Sequence, residues 1–256
     1  MKITLTDGKV LELPGSTTVA GVASAISEGL RRNAIAGKVD GKLVDLSYPI
    51  EKDAEVVIVT SKDPEALDIY RHTCSHVLAQ AVKSIYPTCS LAIGPTIDTG
   101  FYYDIDFKTP ITIDDLPKIE EEMKKIIKAD LAIERFELPR EEAIALMKKY
   151  KEPYKVQLIK DLPEDSVISF YKQGDFTDLC RGPHLPSTGM IKAFKLTSIA
   201  GAYWRGNEKN KMLTRIYGTA FFKKSEMEAY FTMLEEAKKR DHVKLGKELK
   251  LFALLN

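Results

Sequence analysis

Several things are scarce in this sequence of 256 residues, and each scarcity excludes something. No stretch approaches the roughly 18 consecutive apolar residues that a membrane-crossing helix needs. The opening, MKITLTDGKV, has no apolar run behind a basic start, so it does not read as a secretory signal. Cysteine is limited to Cys74, Cys89 and Cys180. An odd set of three, widely spaced, is a poor disulfide framework and fits free thiols in a reducing compartment, the cytoplasm. Internal repeats and low-complexity tracts are both missing, which excludes solenoids and long disordered tails. Net charge is nearly missing too, at +1, and that total argues neither for nor against a polyanionic partner.

What is present is a 44% apolar composition, enough for real cores in one large domain or two ordinary ones, and an uneven spread of charge. Residues 187–224 hold eight basic side chains (Lys192, Lys195, Arg205, Lys209, Lys211, Arg215, Lys223, Lys224) against one acid, Glu208. Residues 114–142 are acidic. A solvated hairpin would explain the basic stretch as well as a binding face does. Tyr203, Trp204 and Tyr217 interleave with the charges, which suits phosphate neutralisation beside base stacking.

In residues 1–60, short alternating runs at 2–5 and 10–13 flank Asp7-Gly8, a hairpin dipeptide. Ser16, Thr17 and Thr18 offer capping hydroxyls before Val19, Val22, Ile26 and Leu30, an apolar helical spacing. Asp40-Gly41 marks a second hairpin between 34–39 and 42–46, and 55–60 reads as a buried strand. Two hairpins, one helix and a final strand predict a small sheet with a helix across it. This resembles the ubiquitin-like β-grasp module called TGS, which implies an accessory role. Beyond a polar link at 61–64, Pro64 and the run to Tyr86 predict a helix that ends before Pro87. Strands are then expected near 101–107, 131–138, 167–171, 199–205 and 211–218, helices over 114–129 and 140–149, and a charged amphipathic helix from 225 to about 251. The expected fold class is α+β: a β-grasp domain (1–62), a larger α+β domain with a mostly antiparallel sheet (63–224), and a linker helix (225–256).

The sharpest chemical signal is Arg71-His72-Thr73-Cys74-Ser75-His76. At about 100° per residue, His72 and His76 lie only about 40° apart and can converge on one point. Tyr70, Cys74, Val77, Leu78 and Ala81 occupy the nearly opposite face, so the histidines fall on the polar one. Taken alone, an HxxxH pair on a helix is more often surface than site. The second element, Asp178-Leu179-Cys180-Arg181-Gly182-Pro183-His184, reverses those odds. Gly182-Pro183 bends the chain so that Cys180 and His184 could face the helix pair, a possible set of three nitrogens and one sulfur that makes zinc a serious candidate.

HxxxH followed by TDLCRGPH resembles the editing-domain signature of bacterial-type threonyl-tRNA synthetases, whose relatives include alanyl editing proteins. GPTIDTGFYYD (94–104), EPYK (152–155) and LPSTG (185–189) match as well, and with the TGS-like start the likeness covers nearly the whole sequence. Cys74-Ser75 stand where that family usually has small residues. The resemblance implies hydrolysis of serine from tRNA(Thr) at its acceptor end. His72 and Lys155 would orient and activate water, with Cys180 as an alternative base. Asp178 would hold the substrate ammonium, His76 and His184 would shape the pocket, and Tyr103 would contact the terminal adenosine. It also implies a site without metal, and so no cofactor in this region, since four protein ligands would fill a tetrahedral zinc and leave no place for water.

Such a site answers a limit of selectivity. Serine lacks one methyl of threonine, worth only about 1–3 kcal/mol in a pocket, so a second sieve is needed. A tRNA-binding module without catalysis and a zinc-dependent alanyl-tRNA deacylase are the competing expectations. By resemblance, 239–256 would begin a catalytic core that lies beyond this sequence and uses ATP, Mg2+ and Zn2+. The parent would be a homodimer through that core, and this portion alone a monomer with no membrane partner.

Overall fold

Tight turns organise the beginning of the chain. In the computed structural model, which describes residues 1–240, Gly8 takes φ 79° where β1 (Lys2–Thr4) turns back into β2 (Val10–Glu12). Asp40 and Gly41 take φ 48° and 79° between β4 (Ala34–Val39) and β5 (Lys42–Asp45), both positive as a two-residue hairpin turn requires. The last strand of this region, β7 (Ala54–Thr60), runs parallel to β1 and antiparallel to β4, giving a five-stranded mixed sheet in the order β2-β1-β7-β4-β5. A short pair, β3 (Thr17–Thr18) with β6 (Pro49–Ile50), lies outside that sheet.

The sequence predicts one helix here and the structure has two. In α1 (Val19–Ile26), capped by the Thr18 hydroxyl on the Gly21 amide, Val19, Val22 and Ala23 face a core shared with Ile3 and Val56. Ser27 is extended, which breaks the helix, and its hydroxyl caps α2 (Glu28–Asn33) through the Leu30 amide.

The second core forms around α3 (Ala66–Ile85), which ends before Pro87 as expected. Against it pack α4 (Leu116–Lys128) and an antiparallel sheet. Its strands are β8 (Ser90–Leu91), β10 (Gly100–Asp106), β14 (Ala193–Tyr203) and β15 (Met212–Phe221), in the order β14-β15-β10-β8, with β9 (Thr96–Ile97) paired to β10. A smaller antiparallel sheet joins β11 (Ile133–Glu137), β12 (Ser169–Gln173) and β13 (Phe176–Leu179). Beside it lie α5 (Arg140–Lys149) and α6 (Pro153–Asp161), and α7 (Lys224–Lys239) closes the described residues. The architecture is thus α+β, a small amino-terminal sheet region followed by a larger α+β part.

Both α6 and β13 escape the sequence reading. Pro153 opens α6 at a position where proline is favoured, but its nine residues carry a weak apolar stripe. In β13, Phe176–Leu179, the polar sequence FTDL hides a strand that is held by its hairpin partner β12. The charged helix expected to reach about 251 is described only as far as Lys239, and the remainder lies outside the described residues.

Candidate functional site

The histidine face of α3 is not the polar surface expected of it. His76 is buried at 4% exposure and His72 is half-buried, because β13 and the loop after it fold over that side of the helix. Arg71, Thr73 and Ser75 of α3 are buried as well, and each finds a partner. Arg71 donates to the Ala220 and Asp98 carbonyls, and Ser75 to those of His72 and Gly94. Among the described residues no buried side-chain polar atom lacks a hydrogen-bond partner.

Three imidazoles converge on one thiol. The Cys180 Sγ lies 3.2 Å from His72 Nε2 and 3.3 Å from His184 Nε2, and the His76 ring stands 4.4 Å from that of His184. Two of the rings are tied on another side: His76 Nδ1 is 3.5 Å from the Asp178 carboxylate, and His184 Nδ1 is 3.3 Å from Thr73 Oγ1. Burial pushes His72 down to about 4 and His76 to about 3, while Asp178 pulls both the other way; burial and the two neighbouring imidazoles hold His184 well below its usual range. All three are neutral bases at neutral pH. Burial raises Cys180 to about 12, which keeps it a thiol and weakens it as a base.

Beneath the cluster lies a charged layer. Lys155, on α6, places its ammonium 2.6 Å from Asp178 Oδ1 and 2.9 Å from the Tyr103 hydroxyl, which donates to Asp178 Oδ2 at 2.5 Å. Burial alone would raise Asp178; Lys155 and His76 outweigh it and hold the carboxyl below the usual range. All seven residues that the sequence marks therefore stand in one constellation. Tyr103 is fully buried and Asp178 is 2% exposed, and both bond to the Lys155 ammonium.

The expectation that this region holds no cofactor is overturned. One donor atom each from His72, His76, Cys180 and His184 lies within 4.8 Å of the others. A tetrahedral zinc with ligand bonds of about 2.0–2.3 Å separates its donors by about 3.3–3.8 Å, so small closing movements would complete the shell. His76 also leans on a carboxylate through its other nitrogen, as metal-bound histidines commonly do. The donor set fits a zinc-class ion.

The basic stretch is also altered by folding. Arg215 forks onto Asp104, Lys211 meets Asp106 and Lys195 meets Glu120, so much of its charge is neutralised by acids from elsewhere. Trp204 is no stacking platform: it is 6% exposed, packs on Tyr154 and donates its indole N–H to Gln157. Two participants near the cluster escape the sequence reading. Thr73 accepts the Leu185 amide, and Asp45, far away in the chain, accepts the His184 amide. Thr73 lies within the motif itself, while nothing in the local sequence singles out Asp45.

Among the described residues no helix is long and apolar enough to cross a membrane. Comparison with known proteins agrees with the motifs. A family model described as the threonyl and alanyl tRNA synthetase second additional domain matches residues 168–217, and one described as the TGS domain matches residues 1–60. The chain is 63% identical over 252 residues to a threonine--tRNA ligase of Acetivibrio thermocellus, covering 98% of this chain and 40% of that protein. Threonine--tRNA ligases of Clostridium tetani and Clostridium acetobutylicum are 61% and 60% identical over 254 residues, covering 99% of this chain and 40% of each relative. The chain spans about two fifths of the length of these curated relatives. It belongs to the bacterial threonine--tRNA ligase family, over the amino-terminal TGS and editing domains of that family.

Proposed function

We propose that this chain hydrolyses the ester joining a mischarged amino acid to tRNA, with serine on tRNA(Thr) as its substrate. The observation that carries this reading is the meeting of three neutral imidazoles on one thiol above a buried ammonium–carboxylate pair, in a chain of this family. Ester hydrolysis needs a water that loses a proton, a donor for the developing oxyanion, and a returned proton for the ribose oxygen. His72, half-buried and neutral, takes the proton from water and returns it to the leaving ribose. Lys155 directs its positive charge at the oxyanion, and Asp178 and Tyr103 fix its position. His76, Cys180 and His184 shape the pocket that receives the small side chain. A zinc-class ion held by His76, Cys180 and His184 would keep its fourth position for water and supply Lewis acidity there, with His72 left free as the base.

Residues 1–62 would be the β-grasp-type accessory part, 63–224 the hydrolytic part, and 225–256 a linker to the remainder of a cytoplasmic, homodimeric ligase that joins threonine to tRNA(Thr) with ATP. The test is single-turnover hydrolysis of seryl- and threonyl-tRNA bearing the threonine anticodon. The reading expects serine to be released, threonine to be retained, and His72→Ala to slow release by about 100-fold or more. Failure to cleave either ester while tRNA is bound would leave a binding module in its place.

A further inference from the structure

His184 is held from two sides, and one of them comes from the first 60 residues. On the α3 side, Thr73 Oγ1 receives the Leu185 amide at 2.9 Å and stands 3.3 Å from His184 Nδ1. On the other side, Asp45, at the end of β5, uses both carboxylate oxygens. Oδ1 accepts the His184 backbone N–H at 2.9 Å, and Oδ2 accepts the Tyr171 hydroxyl at 2.6 Å. Tyr171 is 3% exposed, and its ring lies edge-on to the His184 imidazole with centroids 4.3 Å apart. Among the described residues, neither the His184 N–H nor the Tyr171 hydroxyl donates to any other acceptor.

We propose that Asp45 is a positioning residue of the hydrolytic site: it clamps the backbone of His184 and, through Tyr171, the face of its ring. The amino-terminal sheet region is thereby part of the site's construction, beyond any contact it makes with tRNA. The clamp works through hydrogen bonds and needs no charge. An asparagine at this position keeps the His184 amide bond through its Oδ1 and holds the Tyr171 oxygen by donating its NH2, leaving only the tyrosine O–H without an acceptor. Alanine keeps neither and leaves two buried donors without a partner. A displacement of about 1 Å in a catalytic group can cost on the order of 100-fold in rate.

The catalytic part of this inference rests on the ester-hydrolase reading, so its test has a readout that needs no substrate. In the full 256-residue chain, amide hydrogen exchange at His184 is followed by NMR beside single-turnover release of serine from tRNA. Asp45→Ala is expected to quicken exchange at His184 by about 10-fold or more while the α3 amides are unmoved, and to lower the maximal rate by about 10- to 100-fold with half-saturation unchanged. Asp45→Asn is expected within about threefold of the unsubstituted chain in both readouts, because it preserves the geometry. If Asp45→Ala is too unstable to study, Tyr171→Phe decides, with an expected loss in maximal rate of about 3- to 10-fold. Unchanged His184 exchange in Asp45→Ala overturns the clamp, and a full rate in either Asp45→Ala or Tyr171→Phe overturns its catalytic role. An Asp45→Asn chain as impaired as Asp45→Ala overturns the hydrogen-bonding account. If the unsubstituted chain cleaves no ester, the functional reading fails, and exchange at His184 alone decides the clamp.

Discussion

Lys155 and Asp178 stand 2.6 Å apart, ammonium to carboxylate, with side-chain exposures of only 4% and 2%. Two charges so withdrawn from water persist because each has further partners: Tyr103 bonds to both, and His76 lies against Asp178. A buried pair of this kind is weak evidence of net stabilisation but costly to break from one side.

Asp178→Ala is therefore expected to destabilise the chain by about 3–5 kcal/mol, since it strands the Lys155 ammonium. The double change of Lys155→Met with Asp178→Leu is expected to recover most of that loss while leaving ester hydrolysis abolished. Urea unfolding of both variants checks the first point, and serine release checks the second. A single substitution costing under about 1 kcal/mol would show that water reaches the pair.

Stability of the metal-free chain is expected to fall in mild acid. In the unfolded chain histidine takes up its proton near pH 6.5, whereas burial depresses His72 to about 4 and His76 to about 3. The unfolded state binds more protons in between, so stability is full above about pH 6.5 and is lost as pH drops through that window, by about 1.4 kcal/mol per pH unit for each such histidine. Unfolding midpoints at several pH values in the presence of a chelator measure the slope. His76→Gln should flatten it, and an unchanged slope would refute the assignment.

Cobalt(II) or zinc added to the chelated chain is expected to bind with release of the Cys180 proton, because a thiol raised to about 12 must ionise to become a ligand. Affinity should then climb steeply with pH, and cobalt should show a thiolate charge-transfer band. Cys180→Ser should remove the band. Binding that neither depends on pH nor responds to this substitution would place the ion elsewhere.

Arg215 is expected to matter for stability more than for tRNA. It forks onto Asp104 at 2.6 and 2.8 Å and lies 3.7 Å over the Tyr102 ring, and Asp104 is buried. Arg215→Ala should cost roughly 3 kcal/mol, and Arg215→Lys should recover less than half, since an ammonium cannot reproduce the planar fork. Lys209 is exposed, and Lys209→Ala should leave the unfolding midpoint in place while reducing the salt dependence of any tRNA affinity. Urea titration and binding at two salt concentrations separate the two effects.

Features governed by neighbours in the chain were legible without a structure. Asp40-Gly41 makes its hairpin because those two residues tolerate positive φ, α3 stops before Pro87 because proline cannot continue it, and His72 and His76 share a face because four residues make about one turn. The likeness of TDLCRGPH to a family signature added the loop that faces them. Other features depend on which distant segments meet. Periodicity put the histidines on a polar face, and only the covering strand β13 and the loop after it withdrew them from water and depressed their basicity. Trp204 reads as a stacking group until Tyr154 and Gln157 close over it. Asp45 lies 139 residues from His184, and the spacing of side chains along a strand or helix carries no information about an approach of that kind. Burial, protonation and donor convergence are properties of that packing, which is why the sequence could name the four donor residues and only the tertiary structure could make them a metal-competent set.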